Sequence, residues 1–224
     1  MSYKAKNFHI DPKTANQADY IDSLREHSVV FGVGCAGTGK TFLALSVAIE
    51  RLINKDIDQI IVTRPPVADK DMELGFHKGT KEEKTMEWMG PIIDTVSKAV
   101  GPKTMGEWIQ GQQLRLVDLE TMRGQTFDNA AVILDEAQNC PLSILKMFLT
   151  RIGEHSTVTI NGDTAQTDLI DRSGLSDVVH MVRNNPYRHV PVIEFYPDDV
   201  VRSQICKDFI LMFRDLEAEQ RSFH

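Results

Sequence analysis

Gly34-Cys35-Ala36-Gly37-Thr38-Gly39-Lys40-Thr41 satisfies the spacing G-x-x-x-x-G-K-[ST] at every fixed position. The apolar run at residues 28–33 reads as a buried strand, and residues 41–52, rich in Ala and Leu, read as a helix. Strand, glycine-rich turn and helix in that order make a phosphate cradle. Glycines let the backbone fold so that successive N–H groups and the helix N-terminus face negative charge. In such a cradle Lys40 reaches the β- and γ-phosphates of a nucleoside triphosphate, and the Thr41 hydroxyl holds Mg²⁺. A glycine-rich turn that binds nothing is the ordinary alternative, and the fitting flanks argue against it.

Ala131-Val132-Ile133-Leu134-Asp135-Glu136 is an apolar strand that ends in two carboxylates. On its own such a pair is more often a solvated strand end. Beside an intact phosphate cradle, Asp135 fits the acceptor for the Mg²⁺ shell or for Thr41, and Glu136 fits the base that orients an attacking water.

Composition restricts the rest. The 224 residues, 42% of them hydrophobic, suffice for one substantial core, and no Pro/Gly/Ser-rich linker divides them, so a single domain over residues 1–224 is expected, with a polar end at 214–224. With 25 basic and 32 acidic residues the net charge is -7, which excludes nucleic-acid coating by bulk charge and leaves room only for local contacts. Cys35, Cys140 and Cys206 lie far apart without C-x-x-C spacing, and the seven histidines form no ligand pair. Neither a disulfide framework nor a zinc site is indicated. There is no apolar leader and no stretch long enough to span a bilayer, so a reducing cytoplasm is the expected compartment and no membrane partner is expected.

Short β-branched runs alternate with helical segments, the pattern of an α/β parallel sheet with helices on both faces. Strands are expected near residues 29–33, 59–63, 114–119, 131–134, 157–161 and 190–195. Helices are expected at 41–52, 82–99, 141–151, 174–182 and 200–214, with a frayed polar end from 217 to 224. The connection between Arg64 and Leu114, about fifty residues, is longer than an ordinary crossover. Its lysines, Lys78, Lys81 and Lys84, with Trp88 and Trp108, read either as a surface for single-stranded nucleic acid or as an amphipathic helix whose Trp88, Ile92, Ile93 and Val96 face the core. The core reading is the better one for Trp88.

Four smaller candidates complete the set. Gln166, in the polar turn after the fifth strand, is placed to sense a γ-phosphate or position water, although polar turns after strands are common. Gln17 can offer its amide to an adenine edge. Arg202 can supply positive charge to a transition state, or pair with Asp198 or Asp199. Arg64, at the rim of its strand, suits a phosphate contact or an ordinary ion pair.

These residues together resemble the PhoH family of phosphate-starvation-inducible P-loop ATPases, related to the ATPase core of superfamily-one helicases. The resemblance is carried by residues 12–17, 31–43, 64–67, 74–76, 122–124, 132–139, 147–151, 162–163 with Gln166, 173–176 and 201–203. It implies a RecA-like fold, ATP and Mg²⁺ as cofactors, ATP hydrolysis and, for some members, RNA unwinding. It also implies self-association into a ring, six copies being expected, with single-stranded RNA as a partner. Carried over by position, the nucleotide contacts are Gln17, Gly34, Cys35, Ala36, Gly37, Thr38, Gly39, Lys40, Thr41, Phe42 and Arg64. The catalytic set is Lys40, Glu136, Gln166 and Arg202, and the metal set is Thr41 and Asp135. The compact length suggests a stand-alone ATPase domain of the kind viral genomes encode.

The sequence departs from the family at two places. Gln125 stands where members often carry a second arginine, and residues 74–79 lack the proline common before the second glycine. A helicase of this lineage closes its ATP site between two RecA-like domains, so a ring supplying the second face, with Arg202 acting across the subunit boundary, is the expectation. An ATP-gated assembly module without strand movement is the alternative. A small-molecule P-loop kinase ranks last, since such kinases typically lack the carboxylate placed here as Glu136.

Overall fold

In the computed structural model the described backbone covers residues 9–65, 81–164, 173–185 and 189–222, with the side chains of 81–88, 120, 214–215 and 217–222 left out. Gln166, Lys78 and the loop at 74–79 lie outside the described residues, as do the side chains of Lys81, Lys84 and Trp88.

Six strands, β1 (Val29–Gly34), β2 (Gln59–Arg64), β3 (Leu114–Asp118), β4 (Ala130–Leu134), β5 (Thr157–Gly162) and β6 (Val192–Phe195), form one sheet in the order β3-β2-β4-β5-β1-β6. Every pairing is parallel. Strands buried on both faces need near-continuous apolar sequence, which is what residues 60–62 and 130–134 supply. Alternate residues then divide between two cores: Val30, Ile60, Val62 and Ile133 join one, while Phe31, Ile61, Val132 and Leu134 join the other. The first core is closed by α1 (Ala15–Glu26), α2 (Lys40–Asn54), α3 (Lys81–Val100) and α4 (Pro102–Gln110). The second is closed by α5 (Leu142–Leu149) and α6 (Gly174–Arg183). This is the expected α/β arrangement. With β5 between the cradle strand β1 and the acidic strand β4, it is a RecA-like P-loop NTPase fold.

Two helices exceed the expectation from sequence. Helix α1 is capped by the Thr14 hydroxyl, which accepts from the Gln17 N–H. Its core face is narrow, with Tyr20, Ile21 and Leu24 as its buried apolar residues, so apolar periodicity alone does not reveal it. The Thr14-x-x-Gln17 spacing is its local signal. The long connection after β2 contains two helices rather than one, because Gly101 takes φ 85° and Pro102 opens α4 at a position where no N–H is needed. Trp108 on α4 is 4% exposed and belongs to the core. The last helix, α7 (Gln204–Ser222), starts four residues later than expected and extends into the segment expected to fray.

Because all strands are parallel, their carboxyl ends share one edge. Gly34, Arg64, Leu134, Gly162 and Phe195 therefore deliver the cradle, the acidic pair, Asp163 and the segment leading to Arg202 to one crevice.

Candidate nucleotide site

The turn from β1 into α2 is possible only with glycine. Gly34, Gly37 and Gly39 have φ of 117°, 77° and 88°, in the left-handed region that other residues avoid. At Gly34 a Cβ would also sit 2.0 Å from the Phe195 carbonyl oxygen. Gly39 caps α2 without a side-chain hydrogen bond, and the first turn carries no acidic residue. The positive end of the helix is thus left for an external anion.

Lys40 turns back over this loop. Its Nζ donates to the carbonyls of Gly34 and Cys35, both at 2.7 Å, and lies 5.8 Å from the centre of the Phe195 ring. Burial lowers its pKa, and the carboxylates of Asp163, Asp135 and Glu136 oppose that shift. An ammonium held by carbonyl oxygens within its own loop is in place for the phosphate oxygens that would replace them.

The Thr41 hydroxyl donates to Asp135 Oδ1 at 2.7 Å, and Asp135 is 4% exposed. A hydroxyl and one buried carboxylate, with no cluster of three metal-ligating side chains among the described residues, fit a Mg²⁺ that takes its other ligands from phosphate and water. Thr41 would hold the ion directly and Asp135 through water. Glu136 sits next in the chain with φ 55°, an uncommon conformation for a non-glycine residue. The cleft between these groups is ≈ 340 Å³ and is walled on its far side by Pro91, Ile92 and Thr95 of α3. That space lies within the range of small-molecule sites.

The sequence-derived candidates divide by position. Gly34, Ala36, Gly37, Gly39, Lys40, Thr41, Phe42, Arg64, Asp135, Glu136 and Arg202 line the cleft, with Phe42 54% exposed. Cys35 and Thr38 are not among the lining residues; the Thr38 hydroxyl donates to the Cys35 carbonyl at 3.0 Å and shapes the loop from behind. Gln17 differs from its expected role. It is 3% exposed, its Nε2 donates to the Thr38 carbonyl at 2.8 Å, and its Oε1 accepts from the Lys13 N–H at 2.7 Å. Helix α1 packs behind the cradle, so this amide braces the loop instead of facing a base.

That placement makes a prediction. Gln17→Ala leaves the buried Thr38 carbonyl without its donor, at a cost of about 1–3 kcal/mol. Thermal melting should show a destabilised protein, and the affinities for ATP and GTP should fall equally. A loss confined to ATP would restore the adenine-reading role.

Arg202 is placed by a contact just before it in the chain. The Val201 N–H donates to the Gly37 carbonyl at 3.1 Å, and the Arg202 Cγ would lie 3.4 Å from a Cβ at Gly37. Its side chain therefore borders the P-loop of its own chain. Of the two roles considered for Arg64, the structure has the ion pair: its Nη2 lies 2.9 Å from Asp135 Oδ2 and 3.4 Å from Glu136 Oε1.

Two further residues of the site have no role in the sequence reading. Gln138, 6% exposed, donates from Nε2 to Glu136 Oε2 at 2.6 Å and accepts from the Asp163 N–H at 3.1 Å. It ties the acidic pair to the end of β5. A Cβ at Gly162 would fall 2.9 Å from the Gln138 Oε1, so glycine is what lets the two segments meet. Asp163 itself is 8% exposed and lines the cleft. The local signal for Gln138 was its place two residues after Glu136, but only the sheet order reveals its partner.

A glycine cradle at a helix N-terminus, an enclosed lysine, and a hydroxyl paired with a strand-end aspartate define a P-loop nucleotide-binding protein of the NTPase class. The family model described as "PhoH-like protein" matches residues 9–214, and the chain belongs to the PhoH family. It is 36% identical over 210 residues to the PhoH-like protein of Mycobacterium leprae (strain TN), covering 93% of this chain and 59% of that protein. It is 40% identical over 195 residues to Protein PhoH of Escherichia coli (strain K12), covering 85% of this chain and 54% of that protein. The chain thus spans between half and two-thirds of the length of these curated relatives. Among solved structures, the large terminase of a thermophilic bacteriophage aligns with a TM-score of 0.48 at 12% identity, over 87% of this chain and 48% of that one. No described helix is long and apolar enough to cross a membrane.

Proposed function

We propose that this chain hydrolyses ATP with Mg²⁺ and couples the hydrolysis to remodelling of single-stranded nucleic acid, RNA foremost. The observation that carries the ATPase half is the meeting of Lys40, Thr41, Asp135 and Glu136 in one cleft. Lys40 binds phosphate oxygens. Thr41 and Asp135 hold the metal, which when bound neutralises phosphate charge and orients the terminal phosphoryl group. Glu136 accepts a hydrogen bond from water and aims it, while Gln138 fixes the orientation of that carboxylate. Arg202, over Gly37, adds positive charge from the same chain.

The RNA half rests on the family's relation to helicases. Self-association into a ring is part of the same proposal, and it has a structural support of its own. Ile205, Phe209, Met212, Phe213 and Leu216 of α7 are all exposed, on a helix that begins two residues after the P-loop contact of Arg202. The same feature favours a second reading, a module whose assembly is gated by ATP without strand movement. ATP turnover with and without single-stranded RNA, run beside light-scattering mass with and without nucleotide, separates the two. Coupling to RNA predicts turnover stimulated several-fold by RNA. A mass that changes with nucleotide while turnover ignores RNA would replace it with the gated module.

A further inference from the structure

Every oxygen of the acidic pair already has a protein donor. Asp135 Oδ1 accepts from Thr41 at 2.7 Å, Asp135 Oδ2 and Glu136 Oε1 from Arg64 at 2.9 and 3.4 Å, and Glu136 Oε2 from Gln138 at 2.6 Å. One donor on each oxygen fixes the orientation of both carboxylates and occupies half of their acceptor sites. The geometry is that of an acidic pair held by the protein.

Among these donors Arg64 differs from the other two. Thr41 and Gln138 are neutral and belong to the P-loop helix and to the acidic segment itself. Arg64 brings a full positive charge from the end of β2. Its fit is also incomplete: a single nitrogen, Nη2, spans two carboxylates instead of the two-pronged contact a guanidinium makes with one. Its Nε is buried and has no hydrogen-bond partner among the described residues. The side chain is 26% exposed and lines the cleft. A buried donor without an acceptor is a cost that a new acceptor in the cleft would remove.

We propose that Arg64 is a displaceable internal cation: it occupies the acidic pair in place of the metal, and on arrival of Mg²⁺ with nucleotide it leaves Glu136 free and moves to the terminal phosphate. This rests on the ATPase reading above. Two positive groups cannot share the acidic pair without strong repulsion in a partly buried site, so metal binding and arginine release are one event. The planar guanidinium can then make with the oxygens of the terminal phosphate the two-pronged contact it does not make with either carboxylate. Release of Glu136 is thereby coupled to metal binding, and nucleotide favours both by offering phosphate oxygens to the metal and to Arg64. Arg64 so used is in turn an ion-pair partner of the acidic residues and a phosphate contact, the two roles its sequence position left open.

The test uses the full chain and Mn²⁺, followed by electron paramagnetic resonance of the free ion, with no nucleotide present. Arg64→Gln removes the competing charge and should tighten Mn²⁺ binding at least about tenfold. Arg64→Lys keeps the charge and should stay near the wild-type value, which also guards against a variant that fails for reasons of folding. Equal Mn²⁺ affinity in wild type and Arg64→Gln overturns the displacement. In a second arm, fluorescent ADP and a non-hydrolysable ATP analogue are titrated with Mg²⁺. Arg64→Gln should lower the preference for the ATP analogue over ADP about tenfold, since only the analogue has the terminal phosphate. An unchanged preference for the ATP analogue over ADP overturns the transfer to phosphate and leaves Arg64 a static strut. Failure of the ATPase reading looks different, because wild type would then bind neither nucleotide or would bind ATP without hydrolysing it.

Discussion

Glu136→Gln should bind ATP with Mg²⁺ about as wild type does and hydrolyse it about 10²–10⁴ times more slowly. The magnitude is that of removing a positioned general base. Binding survives because the substitution leaves the loop, Lys40, Thr41 and Asp135 in place, and because an amide of the same size still offers an oxygen to Arg64 or Gln138. The unusual backbone at this position, φ 55°, is a property of the turn and is shared by the variant. Single-turnover hydrolysis on wild type and variant checks it. Near-equal rates would take Glu136 out of the mechanism and leave its held geometry without a catalytic purpose.

Lys40→Ala should act one step earlier, on binding. Its ammonium is folded into the loop itself, against the Gly34 and Cys35 carbonyls. A hydrogen bond to a charged group contributes about 1.5–3 kcal/mol, which corresponds to a ten- to hundredfold loss of ATP affinity. The loss should be similar with and without Mg²⁺, because Thr41 and Asp135 remain. Calorimetric titration of the variant measures it directly. Undiminished affinity would mean that the lysine contacts only its own loop.

How much of this was legible in the sequence depends on how local each cause is. The cradle and the acidic pair were readable because their chemistry is set by neighbours a few residues away: glycines where φ is positive, a lysine and threonine at the helix start, two carboxylates at a strand end. The parallel sheet followed from apolar runs alternating with helical ones. Gln17 suggests an adenine contact in the sequence, whereas its amide donates to the Thr38 carbonyl in the structure, a contact defined by how α1 packs behind the loop. Helix α1 itself escaped because its buried apolar face is narrow, although the Thr14 to Gln17 cap was there to be read. Arg202 was expected to serve a neighbouring copy. That the segment before it hydrogen-bonds to Gly37 of its own chain depends on β6 lying beside β1, a fact of strand order and not of spacing. Gln138 was passed over for the same reason, because its second contact lies at the end of β5, twenty-five residues on.

The claim that the rest depends on is that this cleft takes a nucleoside triphosphate together with Mg²⁺. Titration of wild-type protein with ATP in a calorimeter, once with Mg²⁺ and once with EDTA, tests it most directly. The account predicts saturable binding of one ATP per chain that is tightened by Mg²⁺ and weakened in Lys40→Ala. Absence of heat with wild type in both conditions, or binding that Lys40→Ala leaves unchanged, would contradict it.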